Sequence, residues 1–162
     1  MVTQLRPGQA EEAAAAARLI YASDPPYYDF WLGPQAAALA CLEKLWRAPV
    51  GSLSHNRFQV WRERDELIAL VSHYSAAQEG ELAAEDVIAQ AQLRGDLTEL
   101  QRREAMLAWL FPHLPDEVWY LRTLAVAASQ RGQGLGTRIL DEIAATARAH
   151  GATSLQTDVD SG

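Results

Sequence analysis

Three glycines at alternate positions, Gly132, Gly134 and Gly136, lie between an apolar run and a helical pattern. The run is Val-Trp-Tyr-Leu-Arg-Thr-Leu-Ala-Val over 118–126. The helical pattern starts near Leu135–Thr137 and is closed by His150-Gly151. Chemistry follows from that order. A strand feeds a turn, and the turn opens a helix whose first N–H groups are unpaired and lie at the positive end of its dipole. Glycines let the main chain bend and approach a ligand closely. This is an arrangement for holding phosphate oxygens. A P-loop requires Lys followed by Ser or Thr after its last glycine, and here Thr137-Arg138 follows. A dinucleotide fingerprint requires Gly-x-Gly-x-x-Gly with an acidic residue about 20 positions later. Asp158 and Asp160 suit the second requirement, but the third glycine would fall on Thr137. A glycine-rich turn that binds nothing is the alternative to any ligand.

The segment Arg131-Gly132-Gln133-Gly134-Leu135-Gly136 resembles the Arg/Gln-x-x-Gly-x-Gly/Ala signature of the GCN5-related N-acetyltransferases. The flanking Leu124-Ala125-Val126 and Thr137-Arg138-Ile139-Leu140 are similar to that family too. The resemblance implies an α/β acyltransferase fold, with a mixed and mostly antiparallel sheet flanked by helices and a parallel pair formed by its fourth and fifth strands. It implies acetyl-coenzyme A as acetyl donor. The pyrophosphate would sit on Arg131–Thr137, and the pantetheine arm on the main chain of Leu124, Ala125 and Val126, in a gap where those two strands part. It also implies that a backbone N–H at Val126 or its neighbour stabilises the oxyanion. The implied activity is direct attack of a primary amine, on a small molecule or a peptide, upon the thioester. No metal is implied.

Two departures from the family bear on the chemistry. Many relatives carry a carboxylate four residues before the position of Val126, and here that residue is Arg122. An arginine stays protonated and cannot be a base. It could bind a carboxylate on the acceptor, or form an ordinary salt bridge. Glu117, His73 and Asp158 are the other candidates for the base. Relatives also continue with an Asn, a helix carrying a Leu-Tyr pair, and two more strands. These are not found before Gly162, so truncation is expected, with the strand at 153–160 left as an unprotected edge. Arg122 and the missing tyrosine keep open a second function, a coenzyme A-binding sensor or regulatory module without catalysis. A nucleotide-binding oxidoreductase fragment is a weaker third reading, disfavoured by the glycine spacing.

The elements that position these residues can be read in order. Residues 2–6 suggest a strand, and Pro7-Gly8 a turn. A helix follows, with Glu11 and Glu12 in its first turn and Ala13, Ala16, Ala17 and Ile20 on one face. Asp24-Pro25-Pro26 stops it. The aromatic stretch 27–33 comes next, and its Tyr27, Tyr28 and Trp31 are candidates for one wall of the acceptor pocket, or else a loop folded into the core. A second helix is expected over 34–47. Strands at 57–63 and 66–74 form a hairpin around Arg64-Asp65, with His73 and Tyr74 on opposite faces. His73 is a further substrate candidate or a structural histidine. Residues 76–116 form an insertion with helices at 83–94 and 97–111, for which Asp96 is an N-cap candidate. After the glycines, Ile139, Leu140, Ile143, Ala144 and Ala147 line one helix face. The strand at 153–160 should run parallel to that at 118–127.

A chain of 162 residues corresponds to one domain, 1–162, and its net charge of -7 argues against nucleic acid as a partner. No apolar run approaches membrane-spanning length, and the N-terminus lacks the apolar core of a secretory signal. The only cysteine, Cys41, allows no internal disulfide and reads as a buried small hydrophobe rather than a nucleophile. These features suggest a cytoplasmic protein. The free sheet edge and the added helices make a homodimer plausible.

Overall fold

The computed structural model describes residues 5–93, 95, 97–111 and 113–159. Five strands form one sheet in the order β1-β2-β3-β4-β5: Arg6–Pro7, Gln59–Glu63, Glu66–Ser75, Val118–Val126 and Ser154–Gln156. Neighbours are antiparallel except β4 and β5, which are parallel. Six α-helices flank the sheet: α1 Ala13–Ser23, α2 Pro25–Leu32, α3 Gln35–Arg47, α4 Glu79–Gln90, α5 Leu97–Ala108 and α6 Leu135–Ala149. The mixed sheet, the parallel last pair and the two helices inserted between β3 and β4 are those expected from the sequence.

Two apolar clusters hold the layers together. On one face Ala13, Ala16, Ala17 and Ile20 of α1 are fully buried against Leu42 and Trp46 of α3 and against Val60 and Leu70 of the sheet. The run of alanines allows α1 to lie close to its neighbours. On the other face Leu135, Ile139, Ile143 and Ala147 of α6 cover Ala69, Val71, Trp119 and Leu121. That stripe repeats every four residues, as a helix packed on a sheet requires. Leu140, expected in it, is 38% exposed because the stripe centres one residue earlier.

Several boundaries differ from the sequence expectation. The aromatic stretch after α1 is a helix and not a loop. Asp24 accepts the N–H of Tyr27, and Pro25 stands at the first helical position, where its fixed φ suits a helix start. The prolines therefore start α2 as well as ending α1. The first strand includes Pro7, and residues 2–4 of the expected strand lie outside the described residues. A 3-10 turn over His55–Arg57, capped by Ser54, delays β2. Helix α4 begins four residues earlier than expected, and α5 ends at Ala108. The expected cap Asp96 lies outside the described residues. Strand β5 pairs over only Ser154–Gln156. Arg64 takes the hairpin turn with φ 53, the only positive φ of a non-glycine among the described residues.

Glu12 does more than meet a helix dipole. Its carboxylate is buried and accepts the N–H of Gln9 at 2.9 Å. It also pairs with Arg6 of β1 at 2.5 Å and Arg62 of β2 at 3.1 Å. The start of α1 is thereby clamped to two strands.

Candidate active site

The site begins where β4 leaves β5. Val118, Trp119 and Tyr120 pair with Ser154, Leu155 and Gln156, and beyond Tyr120 no described residue pairs with that edge of β4. On its other edge β4 stays bonded to β3 as far as Val126. Leu121–Val126 thus carry peptide groups on a free edge, the kind of surface that accepts an extended chain of amides. Leu124 and Val126 turn their N–H and C=O to it, while Ala125 between them faces β3, as does Ala127, whose N–H bonds the Ile68 carbonyl at 2.8 Å.

The free edge runs into the glycine loop. Gly132 and Gly134 have φ 73 and 79, in the left-handed region, and a Cβ at either would meet nothing within 4 Å. Conformation therefore calls for glycine there, and the space above the loop is open. Gly134 is the N-cap of α6 and brings no side-chain cap. The first N–H groups of the helix, at Leu135, Gly136 and Thr137, keep donors for an anion. Arg131 turns back, its Nε donating to the Val126 carbonyl at 3.0 Å, and Gln133 Nε2 donates to the Ser129 carbonyl at 3.1 Å. Arg131 thus braces the loop against the end of β4, and Gln133 braces it against the 3-10 turn Ala128–Gln130. At the far end of α6 the N–H of Gly151 bonds the Arg148 carbonyl at 3.0 Å, and that of Ala152 bonds the Ala147 carbonyl at 3.0 Å. This is a Schellman cap, with Gly151 at φ 75.

A β-bulge adjoins the splay. Ser72 faces Thr123 and His73 faces Leu121, so Arg122 is the extra residue of β4. Its Nη1 is buried without a hydrogen-bond partner among the described residues. No ion pair to Arg122 occurs among the described residues, so the salt-bridge reading finds no partner there. Burial opposes its charge. Tyr28, Tyr27, Asp86 and Tyr74 together more than offset that, and the guanidinium stays protonated.

These neighbours assemble from four elements. Tyr27, Tyr28 and Trp31 of α2 pack edge-on or tilted against one another, with centroids 5.1 Å apart for the two tyrosines and 6.1 Å for Tyr27 and Trp31. Burial pushes the Tyr28 hydroxyl up to about 12, so it stays a neutral phenol. Tyr74 of β3 lies 5.5 Å from the ring of Tyr120. Asp86 comes from α4 and Glu104 from α5. Burial raises the Glu104 carboxyl, the hydrogen bond from Gln90 opposes that, Asp86 raises it further and Arg122 lowers it. The Tyr120 hydroxyl donates to Asp158 Oδ2 at 2.7 Å, tying the residues after β5 to the splay.

The structure thus brings Arg122 and Asp158 to one region with Tyr27 and Tyr28. It does not bring Glu117 or His73 there. Glu117 is exposed in the turn before β4, and its carbonyl accepts the N–H of Thr153 at 3.0 Å. His73 faces the α6 side. Its Nδ1 accepts from Trp119 Nε1 at 2.9 Å, and Trp119 lies 5.0 Å from the ring of His150. Burial and His150 both lower its pKa. Cys41 is half-buried, and burial raises its thiol, which suits packing rather than nucleophilic attack.

Asp86 and Glu104 lie outside the sequence expectation, yet both leave a signal there. Leu82, Asp86 and Ala89 share one face of α4, and Leu100, Glu104 and Leu107 one face of α5. A carboxylate inside an apolar stripe is turned toward something. No cluster able to hold a metal occurs among the described residues, and no helix there is long and apolar enough to cross a membrane.

Comparison with solved structures finds this architecture repeatedly. An acetyltransferase crystal structure is 19% identical, with TM-score 0.65, covering 98% of this chain and 82% of that one. An N-acetyltransferase from Staphylococcus aureus Mu50 is 20% identical, with TM-score 0.67, covering 88% of this chain and 75% of that one. Aminoglycoside N-acetyltransferase AAC(6')-Iy, solved in complex with CoA, is 12% identical with TM-score 0.51, covering 98% and 78%. At such identities the likeness concerns the fold. No curated protein matches. The family model of the GNAT acetyltransferases matches residues 20–162, and the chain belongs to that family.

Proposed function

We propose that this chain transfers an acetyl group from acetyl-coenzyme A to a primary amine of a small molecule or peptide. The observation that carries the reading is the continuity of the free β4 edge, Leu121–Val126, with an open glycine loop and an uncapped helix start. Acetyl-coenzyme A supplies the activated acetyl group. The amides of Gly132–Thr137 hold its pyrophosphate, and the main chain of Leu124–Val126 pairs with its peptide-like arm. Both use backbone groups, so donor binding depends on conformation more than on side chains. On the acceptor side, the α2 tyrosines and Arg122 line the approach to the splay. Asp158 and Glu104 are the carboxylates available to take a proton from an ammonium there.

Calorimetric titration with acetyl-coenzyme A, with NAD and ATP as controls, tests donor binding, and thiol release with a panel of amines tests transfer. Saturable binding of acetyl-coenzyme A alone, with amine-dependent thiol release, is expected. Tight binding without turnover of any amine would favour a coenzyme A sensor. Preference for NAD would overturn the reading.

A further inference from the structure

Arg122 and its surroundings carry a statement about the acceptor, which rests on the acetyl-transfer reading above. The residue sits at the bulge where the free edge begins, and its Nη1 is buried with no partner among the described residues. A guanidinium nitrogen withdrawn from water and left unpaired among the described residues is costly, so the site is suited to an anion that they do not supply. Two nearby carboxylates each have one oxygen engaged elsewhere. Asp86 Oδ1 accepts the N–H of Ser52 at 2.6 Å, and Glu104 Oε2 accepts from Gln90 Nε2 at 2.9 Å. Gln90 is 1% exposed, and its Oε1 has no donor among the described residues. Among the described residues, one buried guanidinium nitrogen therefore lacks an acceptor, and one buried acceptor, beside a carboxylate that feels that guanidinium's charge, lacks a donor.

We infer that the acceptor carries a carboxylate as well as its amine, as an amino acid does. Arg122 takes the carboxylate, and the Gln90 Oε1 and Glu104 side takes amine N–H groups. The phosphates of the donor are not the missing anion. Their loop lies beyond Val126, four residues along an extended strand from Arg122, or roughly 13 Å. An acceptor without a carboxylate would leave Arg122 unpaired and add a second cation beside it. Arg122 is in this account a specificity-determining residue.

The test pairs each amino acid with its carboxamide, using the full chain and saturating acetyl-coenzyme A, and reads kcat/KM by thiol release. The acids should exceed their amides by about 10- to 150-fold, the range for one hydrogen-bonded charge pair. Arg122→Met should narrow that ratio mainly through KM, and Arg122→Lys should restore part of it. The wild-type comparison needs no variant, so a misfolded variant leaves the test intact. Failure of acetyl-coenzyme A to bind, measured alongside by calorimetry, refutes the transfer reading. Intact donor binding with equal turnover of acids and amides refutes this inference alone. A panel in which only amines without a carboxylate turn over refutes it as well.

Discussion

Gly134 and Gly151 stand at opposite ends of α6 with nearly the same backbone, φ 79 and φ 75, and a Cβ at either meets nothing within 4 Å. Replacing each with alanine therefore isolates the cost of a left-handed residue, free of any clash. That cost is about 1–2 kcal/mol. For a chain of this size it lowers Tm by about 2–8 °C. The two variants should match in thermal unfolding. They should differ in acetyl-coenzyme A binding, because only Gly134 shapes the loop that offers N–H groups to the pyrophosphate. Losing one such charge-assisted bond costs about 1.5–3 kcal/mol, or roughly 10- to 150-fold in Kd. Calorimetry on both variants decides the matter. Gly134→Ala should weaken binding by that factor, and Gly151→Ala should leave it unchanged. Equal weakening by both, or a Gly134→Ala variant that binds like the wild type, refutes the assignment of the loop.

Two further outcomes follow from charged and titrating groups. Glu12→Ala should destabilise the fold by about 2–3 kcal/mol, less than a fully buried pair, because Arg6 and Arg62 are 30% and 29% exposed at the side chain. Urea unfolding measures this, and donor affinity should not change. His73 has a lowered pKa from burial and from His150, and protonation would remove the Nδ1 acceptor of Trp119. Just below about pH 6.5 the unfolded chain binds the proton that the native state refuses, so stability falls as pH drops through that window. His73→Gln should flatten the decline, as read by Tm between pH 7.5 and about pH 5.

The sheet and the donor loop were legible because they rest on local signals. Spacing of Gly132, Gly134 and Gly136, an apolar strand before them and an amphipathic helix after them fix one β–loop–α unit. Helix α2 is obscured because Asp24-Pro25-Pro26 ends one helical pattern, while the same Asp24-Pro25 pair also starts the next. The acceptor side is non-local. That Arg122 would be a bulge residue depends on how β3 and β4 align, and no feature within either strand states that alignment. Its meeting with Asp86 and Glu104 depends on how α4 and α5 pack. His73 and Tyr74 were placed on opposite faces by strand alternation, but which face holds the site follows only from the tertiary arrangement. Tyr74 shares it with Arg122, and His73 does not.

The central claim is that the free edge of β4 and the glycine loop together hold the donor. Hydrogen exchange of the backbone amides, with and without saturating acetyl-coenzyme A, tests it most directly. The expected result is slowed exchange at the Leu121–Val126 amides not bonded to β3 and at Gly132–Thr137, with little change in α3 or β2. Donor binding that protects another surface, and leaves both segments exchanging as before, would contradict it.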